Sequence, residues 1–221
     1  MLFRAEIMSL IQLKPKEQAF YDMARNLTRK FRVIVLCEGE KDAEILKVII
    51  AKIGMPLSGN IGITDCGGDP SIRDVAVYAA TLAKLSRRLQ TIVVMVDANR
   101  HASAARAKSV IDSLNALGID IMETQEVEES LYKAKTERLD ILVQIVGIKE
   151  LPFKKHTIED HVIQLLILEG KIKKEQIEKT VEAKEILDEQ KEKIRSIIEN
   201  SKKENVEQAF KNIIELLRVL R

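Results

Sequence analysis

Val33-Ile34-Val35-Leu36-Cys37-Glu38-Gly39-Glu40-Lys41-Asp42-Ala43 is the stretch whose reading decides the fold. Five consecutive apolar residues stop abruptly at an acid and a glycine. A continuous apolar run of this length marks a strand buried on both faces, as in a parallel sheet. A helical pattern then runs from about Asp42 to Ile53, with Gly54 placed to cap its C-terminus. The stretch therefore reads as the opening strand-and-helix unit of an α/β domain.

Downstream the pattern repeats. Ile61-Gly62-Ile63-Thr64 is a short strand ending in Asp65-Cys66-Gly67-Gly68. Asp69-Pro70-Ser71 opens a helix that runs to about Leu89, with Ser71 and Asp74 spaced as a capping box. Ile92-Val93-Val94-Met95-Val96 is a second strongly apolar strand, and it stops at Asp97. A helix from about Ser103 to Leu117 is closed by Gly118. Ile119 to Met122 reads as a weak strand, and Ile141 to Val146 as a fifth strand or the end of a helix. This alternation predicts an α/β, Rossmann-like domain over residues 32–170, with a mostly parallel sheet flanked by helices.

The flanks read as helical extensions. Residues 15–30 of the 1–31 segment carry Pro15 at a first helical position and Phe20, Met23 and Leu27 on one face. Arg25, Arg29 and Lys30 fall where cations suit the end of a helix. From 171 to 221 the chain has thirteen basic and eleven acidic residues and no Gly or Pro. There Val206, Phe210, Ile213, Leu217 and Leu220 form a helical seam, which either packs on its own domain or joins two chains as a homodimer through the C-terminal helices.

Composition sets the broad class. The chain has 221 residues, 46% hydrophobic and 32% charged, so it can bury a sizeable core. Its longest apolar runs fall far short of the roughly 20 residues that span a bilayer. Arg4 and Glu6 interrupt the apolar N-terminal stretch, so no signal peptide is expected. Two cysteines are too few for a disulfide scaffold. These features predict a cytoplasmic protein with no membrane partner. Heavy use of Lys, Glu and Ile leans towards a thermophile. The net charge is +2, but residues 33–170 hold sixteen basic and twenty acidic side chains. Divalent cations at a carboxylate-rich site would offset part of that deficit.

In open α/β sheets ligands bind beyond the carboxyl ends of the strands. Glu38 and Asp97 follow apolar runs there, and Asp65 and Asp69 follow the second strand. Neighbouring carboxylates repel one another unless a proton or a metal lies between them. No G-x-G-x-x-G and no P-loop pattern follows any strand, which disfavours a dinucleotide or nucleotide-triphosphate fold.

Together these residues resemble the Toprim domain of topoisomerases, primases, overcoming-lysogenization-defect (OLD) nucleases and ribosomal-RNA maturation nucleases. Val33 to Ala43 resembles its first motif, an apolar strand followed by Glu-Gly and a helix. Val93-Val94-Met95-Val96-Asp97-Ala98-Asn99 resembles its second, normally a strand followed by Asp-x-Asp, and Cys66-Gly67-Gly68 resembles the glycine-bearing strand end between them. The resemblance covers about residues 32–125. It implies Mg²⁺ (or Mn²⁺)-dependent phosphoryl transfer on nucleic acid by a stand-alone Toprim protein. Glu38 would be the general acid/base or a metal ligand, and Asp97 a metal ligand. Asn99 stands where the family has a second acid, which weakens the metal site and puts two-metal catalysis in doubt. Glu159 or Asp160, in Thr157-Ile158-Glu159-Asp160-His161, is the candidate for a further acidic ligand. The expectation is a nuclease acting on RNA or DNA; the alternative is a non-catalytic nucleic-acid-binding or protein-interaction module.

Other residues carry less. His101, His156 and His161 lack zinc-ligand spacing and are expected to be solvated or capping. Cys37 continues a buried strand and reads as a structural thiol, whereas Cys66 is expected to be more open. The tyrosines lack the separate domain that carries a topoisomerase nucleophile. Lys41, Arg100 and Arg106 lie close enough to the expected site to contact phosphates. Lys14, Lys16, Arg25, Arg29, Lys30 and Arg32 form a second basic patch in sequence. Aromatic residues are 4%, too few for a base-stacking platform.

Overall fold

The protein is described by a computed structural model covering residues 11–13, 31–55, 61–68, 73–74, 76–77, 80–81, 88–178, 180, 182–189 and 193–221. Among the described residues, seven strands form one sheet, in the order β1-β3-β2-β4-β7-β6-β5. They are β1 (Ile11–Leu13), β2 (Val33–Cys37), β3 (Ile61–Asp65), β4 (Thr91–Asp97), β5 (Glu123–Glu128), β6 (Leu131–Lys135) and β7 (Asp140–Val146). The first five in spatial order, β1 to β7, pair in parallel. β6 and β5 then add as an antiparallel hairpin. The architecture is α/β with a mostly parallel sheet flanked by helices, as expected, and is compatible with a Rossmann-like fold.

The period of two in a strand explains the layers. Val33, Val35, Val93 and Met95 face one apolar core, while Ile34, Leu36, Val94 and Val96 face another. Helix α1 (Glu40–Ile53) covers the first face. Helix α2 (Ser103–Ala116) and helical residues between 73 and 81 cover the second. Gly54 caps α1 with φ 63°, a left-handed turn that glycine takes without a Cβ clash.

The C-terminal region belongs to the first core. It contributes α3 (Glu159–Leu168), α4 (Lys174–Ile177), α5 (Ala183–Glu189), α6 (Ile194–Asn200), α7 (Lys203–Ala209) and α8 (Lys211–Val219). Val206, Phe210, Ile213, Leu217 and Leu220 are all buried within the chain, in the same cluster as the β2 residues Val33 and Val35. The seam is therefore spent on its own domain, and is not a free face for a second chain. It is also not one helix: Phe210, at φ −108° and ψ 28°, breaks it between α7 and α8. No boundary in the apolar core falls at residue 170.

Several elements differ from the sequence reading. The predicted helix over 15–30 lies outside the described residues, but Ile11–Leu13 in that extension is an edge strand. Ile119 to Met122 is not a strand; the Ile119 N–H turns back to the Leu114 carbonyl at 3.1 Å. The strand starts at Glu123 instead. β5 reads ETQEVE and is mostly exposed, so it has no apolar alternation to reveal it. Such charge is typical of edge strands, where it discourages further pairing. Ile141 to Val146 is a fully buried strand. Arg88 and Leu89, expected in the second helix, lie outside it. No helix among the described residues is long and apolar enough to cross a membrane.

Candidate functional site

The chain runs from β2 outward to β3, then crosses back over β2 to β4. The strand order therefore reverses between β2 and β4. In doubly wound sheets this switch point opens a crevice at the carboxyl ends of the strands. Glu38 leaves β2 and Asp97 ends β4, so both acids stand at that crevice. They touch: the Asp97 N–H donates to Glu38 Oε2 at 3.2 Å. The Gly68 N–H donates to the Glu38 carbonyl at 2.8 Å, which folds the β3 end against the same edge.

A cavity of about 400 Å³ opens here, lined among others by Glu38, Asp42, Asp97 and Glu159. Each acid is held by local geometry. Asp42 sits in the first turn of α1 and its Oδ2 accepts the Gly39 N–H at 2.7 Å. Asp97 Oδ1 accepts the Ile158 N–H at 3.2 Å. Glu159 starts α3, and its Oε1 pairs with Lys41 Nζ at 3.1 Å.

The electrostatics follow from this crowding. Burial, then the charges of Asp42, Glu38 and Glu159, push the Asp97 carboxyl up to about 9. Burial, then Glu159 and Glu38, push Asp42 up to about 6, against the pull of the Gly39 N–H. Buried acids that raise one another in this way lack a compensating positive charge. Among the described residues, however, no three His, Cys, Asp or Glu side chains converge closely enough to enclose a metal by themselves.

The other expected residues divide clearly. Asn99 does not line the cavity. Its side-chain amide approaches the Asp97 carbonyl at 3.5 Å, and its backbone pairs with His156 in both directions, at 2.8 and 2.9 Å. Its φ is 54°. Asn is one of the few non-glycine residues that readily takes this left-handed conformation. Arg106 is buried and its Nε donates to the Asp97 carbonyl at 3.1 Å, so it braces the strand end and is not displayed to phosphates. Arg100 is exposed on the following turn and also lies outside the cavity lining. Lys41 is at the rim, tied to Glu159. The second basic patch lies outside the described residues, apart from Arg32, which bonds Gln90 at 2.6 Å.

Asp160 is not a cavity ligand. It is fully buried, and its Oδ2 holds the Ile148 N–H at 3.0 Å and His156 Nδ1 at 2.9 Å. His161 is likewise buried, against the expectation of a solvated or capping residue. Its Nδ1 meets the Ala209 carbonyl at 2.8 Å, its Nε2 accepts the Gly147 N–H at 3.3 Å, and its ring stacks on Phe210. Burial holds its pKa down to about 4, so it is a neutral strut between β7 and the C-terminal helices. Cys37 is buried as expected, and burial raises its pKa. Cys66 is buried too, and its thiol is pushed up to about 12, so it is not the more open thiol expected.

Sequence reasoning missed Asp42, Lys155, Glu182 and Lys184, all of which line the cavity. Asp42 had a signal. Three residues after Gly39, at the strand-to-helix junction, it is placed to reach back to that backbone N–H. The others had none, because their distance in sequence from Glu38 hides their proximity in space.

Comparison with curated proteins and with solved structures gives no match. A family model does match, over residues 32–204, which takes in the whole sheet beyond β1 and most of the C-terminal helices. The chain belongs to the family described as "Protein of unknown function (DUF3226)".

Proposed function

We propose that this chain is a Toprim-like, Mg²⁺-dependent nucleic-acid phosphoryl-transfer protein, a nuclease acting on RNA or DNA. The observation that carries the reading is the meeting of Glu38 and Asp97 at the strand switch point, with Asp42 and Glu159 in the same cavity. The residues fit a divalent cation by their chemistry. All four are hard oxygen donors, and burial, then the charges of the other three, raises Asp97 to about 9. Mg²⁺ needs only one or two carboxylates when waters and substrate phosphate oxygens complete its shell. Glu38 and Asp97 would hold it, with Glu159 in reach of the same cavity. The ion would supply Lewis-acid polarisation of a phosphate and a stronger water nucleophile.

The chain's own residues do the rest. Glu38, half-buried, is placed to take or return a proton at a reacting oxygen. Arg106 and the Ile158 N–H fix Asp97 from opposite ends, one at its carbonyl and one at Oδ1. A preorganised carboxylate loses less on binding than one that must be ordered.

A second reading has its own support. No three ligands are assembled among the described residues, and Asn99 does not line the cavity, which favours a binding module with a weak metal site. One assay separates the two. Labelled RNA and DNA are incubated with wild type and Glu38→Gln in Mg²⁺, Mn²⁺ or EDTA. The nuclease reading expects metal-dependent cleavage by wild type, reduced at least ~100-fold in Glu38→Gln, with binding retained. Binding without cleavage in every metal supports the module, and cleavage that survives in Glu38→Gln or EDTA removes the proposed site.

A further inference from the structure

The cavity lining is not acidic throughout. Lys155 and Lys184 also line it, from elements far apart in sequence. Lys155 belongs to a strap whose next residue, His156, is hydrogen-bonded in both directions to Asn99. Lys155 itself forms a parallel bridge with Glu182, just ahead of α5, which carries Lys184 at its second position. The strap is thus fixed to the end of β4 on one side and to the C-terminal helices on the other. Among the described residues neither lysine makes an ion pair, whereas Lys41 at the rim is already paired with Glu159. The two ammonium groups are therefore uncommitted, although five acids line the same space.

We propose that Lys155 and Lys184 are the phosphate-binding residues of this cavity, and that they hold the phosphate of a single nucleotide unit, free or at a single-stranded end, against the acidic edge. This rests on the functional reading above. A phosphate entering a carboxylate-lined space is repelled unless cations face it from another side. Lysine suits that task, because it is a compact, mobile point charge that binds phosphate without a fixed planar geometry. The volume points to one unit. About 400 Å³ is near the lower end of ligand pockets, which run roughly 300–1,000 Å³. A duplex is a rigid rod, too wide to enter a cavity of this volume. The C-terminal helices are then part of the site itself.

The test uses the full chain and fluorescence anisotropy. The probes are a labelled, 5′-phosphorylated single-stranded hexanucleotide and the matching duplex, with adenosine monophosphate as competitor. Each is measured in EDTA, and again in Mg²⁺ on a Glu38→Gln background. The variants are Lys155→Gln/Lys184→Gln and, as a control, Lys108→Gln, which lies on the exposed face of α2. Both cavity lysines are exposed, so the double variant should keep the wild-type melting temperature.

The expected result is single-strand binding weakened at least tenfold in the double variant and unchanged in the control. The slope of log affinity against log salt should fall by about 0.7, because the two lysines neutralise one phosphate of a single strand. The duplex should bind more weakly than the single strand. Competition by the monophosphate assigns the phosphate to a free nucleotide, and its failure assigns it to a chain end. Wild-type single-strand binding that the double variant matches overturns the lysine assignment and leaves the functional reading intact. A wild type that binds the monophosphate through these lysines, but no oligonucleotide, overturns the functional reading alone. Binding of neither probe overturns both.

Discussion

Asp97 carries the largest electrostatic consequence of any described side chain in the cavity. Its folded pKa, about 9, lies above the ordinary carboxylate value because of burial and three neighbouring acids. A raised pKa means that folding favours the protonated form. That contribution is complete below about pH 4 and is lost as pH rises towards 9. Without metal, wild-type stability should therefore decline across this window, and Asp42, raised to about 6, adds in the same direction. Asp97→Asn keeps the Oδ1 that accepts the Ile158 N–H and has no carboxyl to protonate on folding. It should raise stability at pH 8 in EDTA by a few kcal/mol, because the wild type must there protonate on folding a carboxyl that is ionised in the unfolded chain. Urea unfolding at pH 5 and pH 8 reads this directly, and an equal slope in both proteins would contradict it. Asn99 behaves differently. Its left-handed backbone and its distance from the cavity lining predict that Asn99→Asp leaves cation affinity unchanged. Asn99→Ala should cost ~1–2 kcal/mol through backbone strain alone. Tighter Mg²⁺ binding by Asn99→Asp, measured by calorimetry, would return Asn99 to the site. The motif was legible at this position, but not the backbone angle that selects its residue.

At the scale of elements, what could be read tracks apolar density. β2, β4 and α1 were legible because burial on two faces writes a continuous run, and burial on one face writes a helical stripe. β5 was not, because an exposed edge strand imposes no apolar pattern. Glu38 and Asp97 were legible as a pair because each ends such a run. Lys155 and Lys184 were not, since their roles come from how the strap and α5 are placed. The C-terminal seam was legible, but a helical stripe does not say what covers it. Phe210 answers that question, being wholly buried and stacked on His161, which reaches β7 through Gly147. Phe210→Glu should therefore lower stability by about 3–5 kcal/mol, with no change of molecular mass in light scattering. A folded variant of smaller mass would mean that the seam joins two chains.

On the scale of the whole molecule, two apolar layers pin one sheet, and its carboxyl edge gathers acids into the cavity. The first layer is completed by the C-terminal helices, which also bring Lys184 to the cavity. Fold stability and the composition of the site are thus properties of the same packing. The matched family region, 32–204, spans this junction. The switch-point acids are proposed to hold a divalent cation. The most direct measurement is a Mn²⁺ titration followed by electron paramagnetic resonance, on wild type, Asp97→Asn and Glu38→Gln at pH 8. A bound cation predicts saturable loss of the free Mn²⁺ signal in wild type, with Mg²⁺ competing, and at least tenfold weaker binding in both variants. A free-ion signal that rises linearly with added Mn²⁺ in wild type, or equal binding in all three proteins, would contradict it.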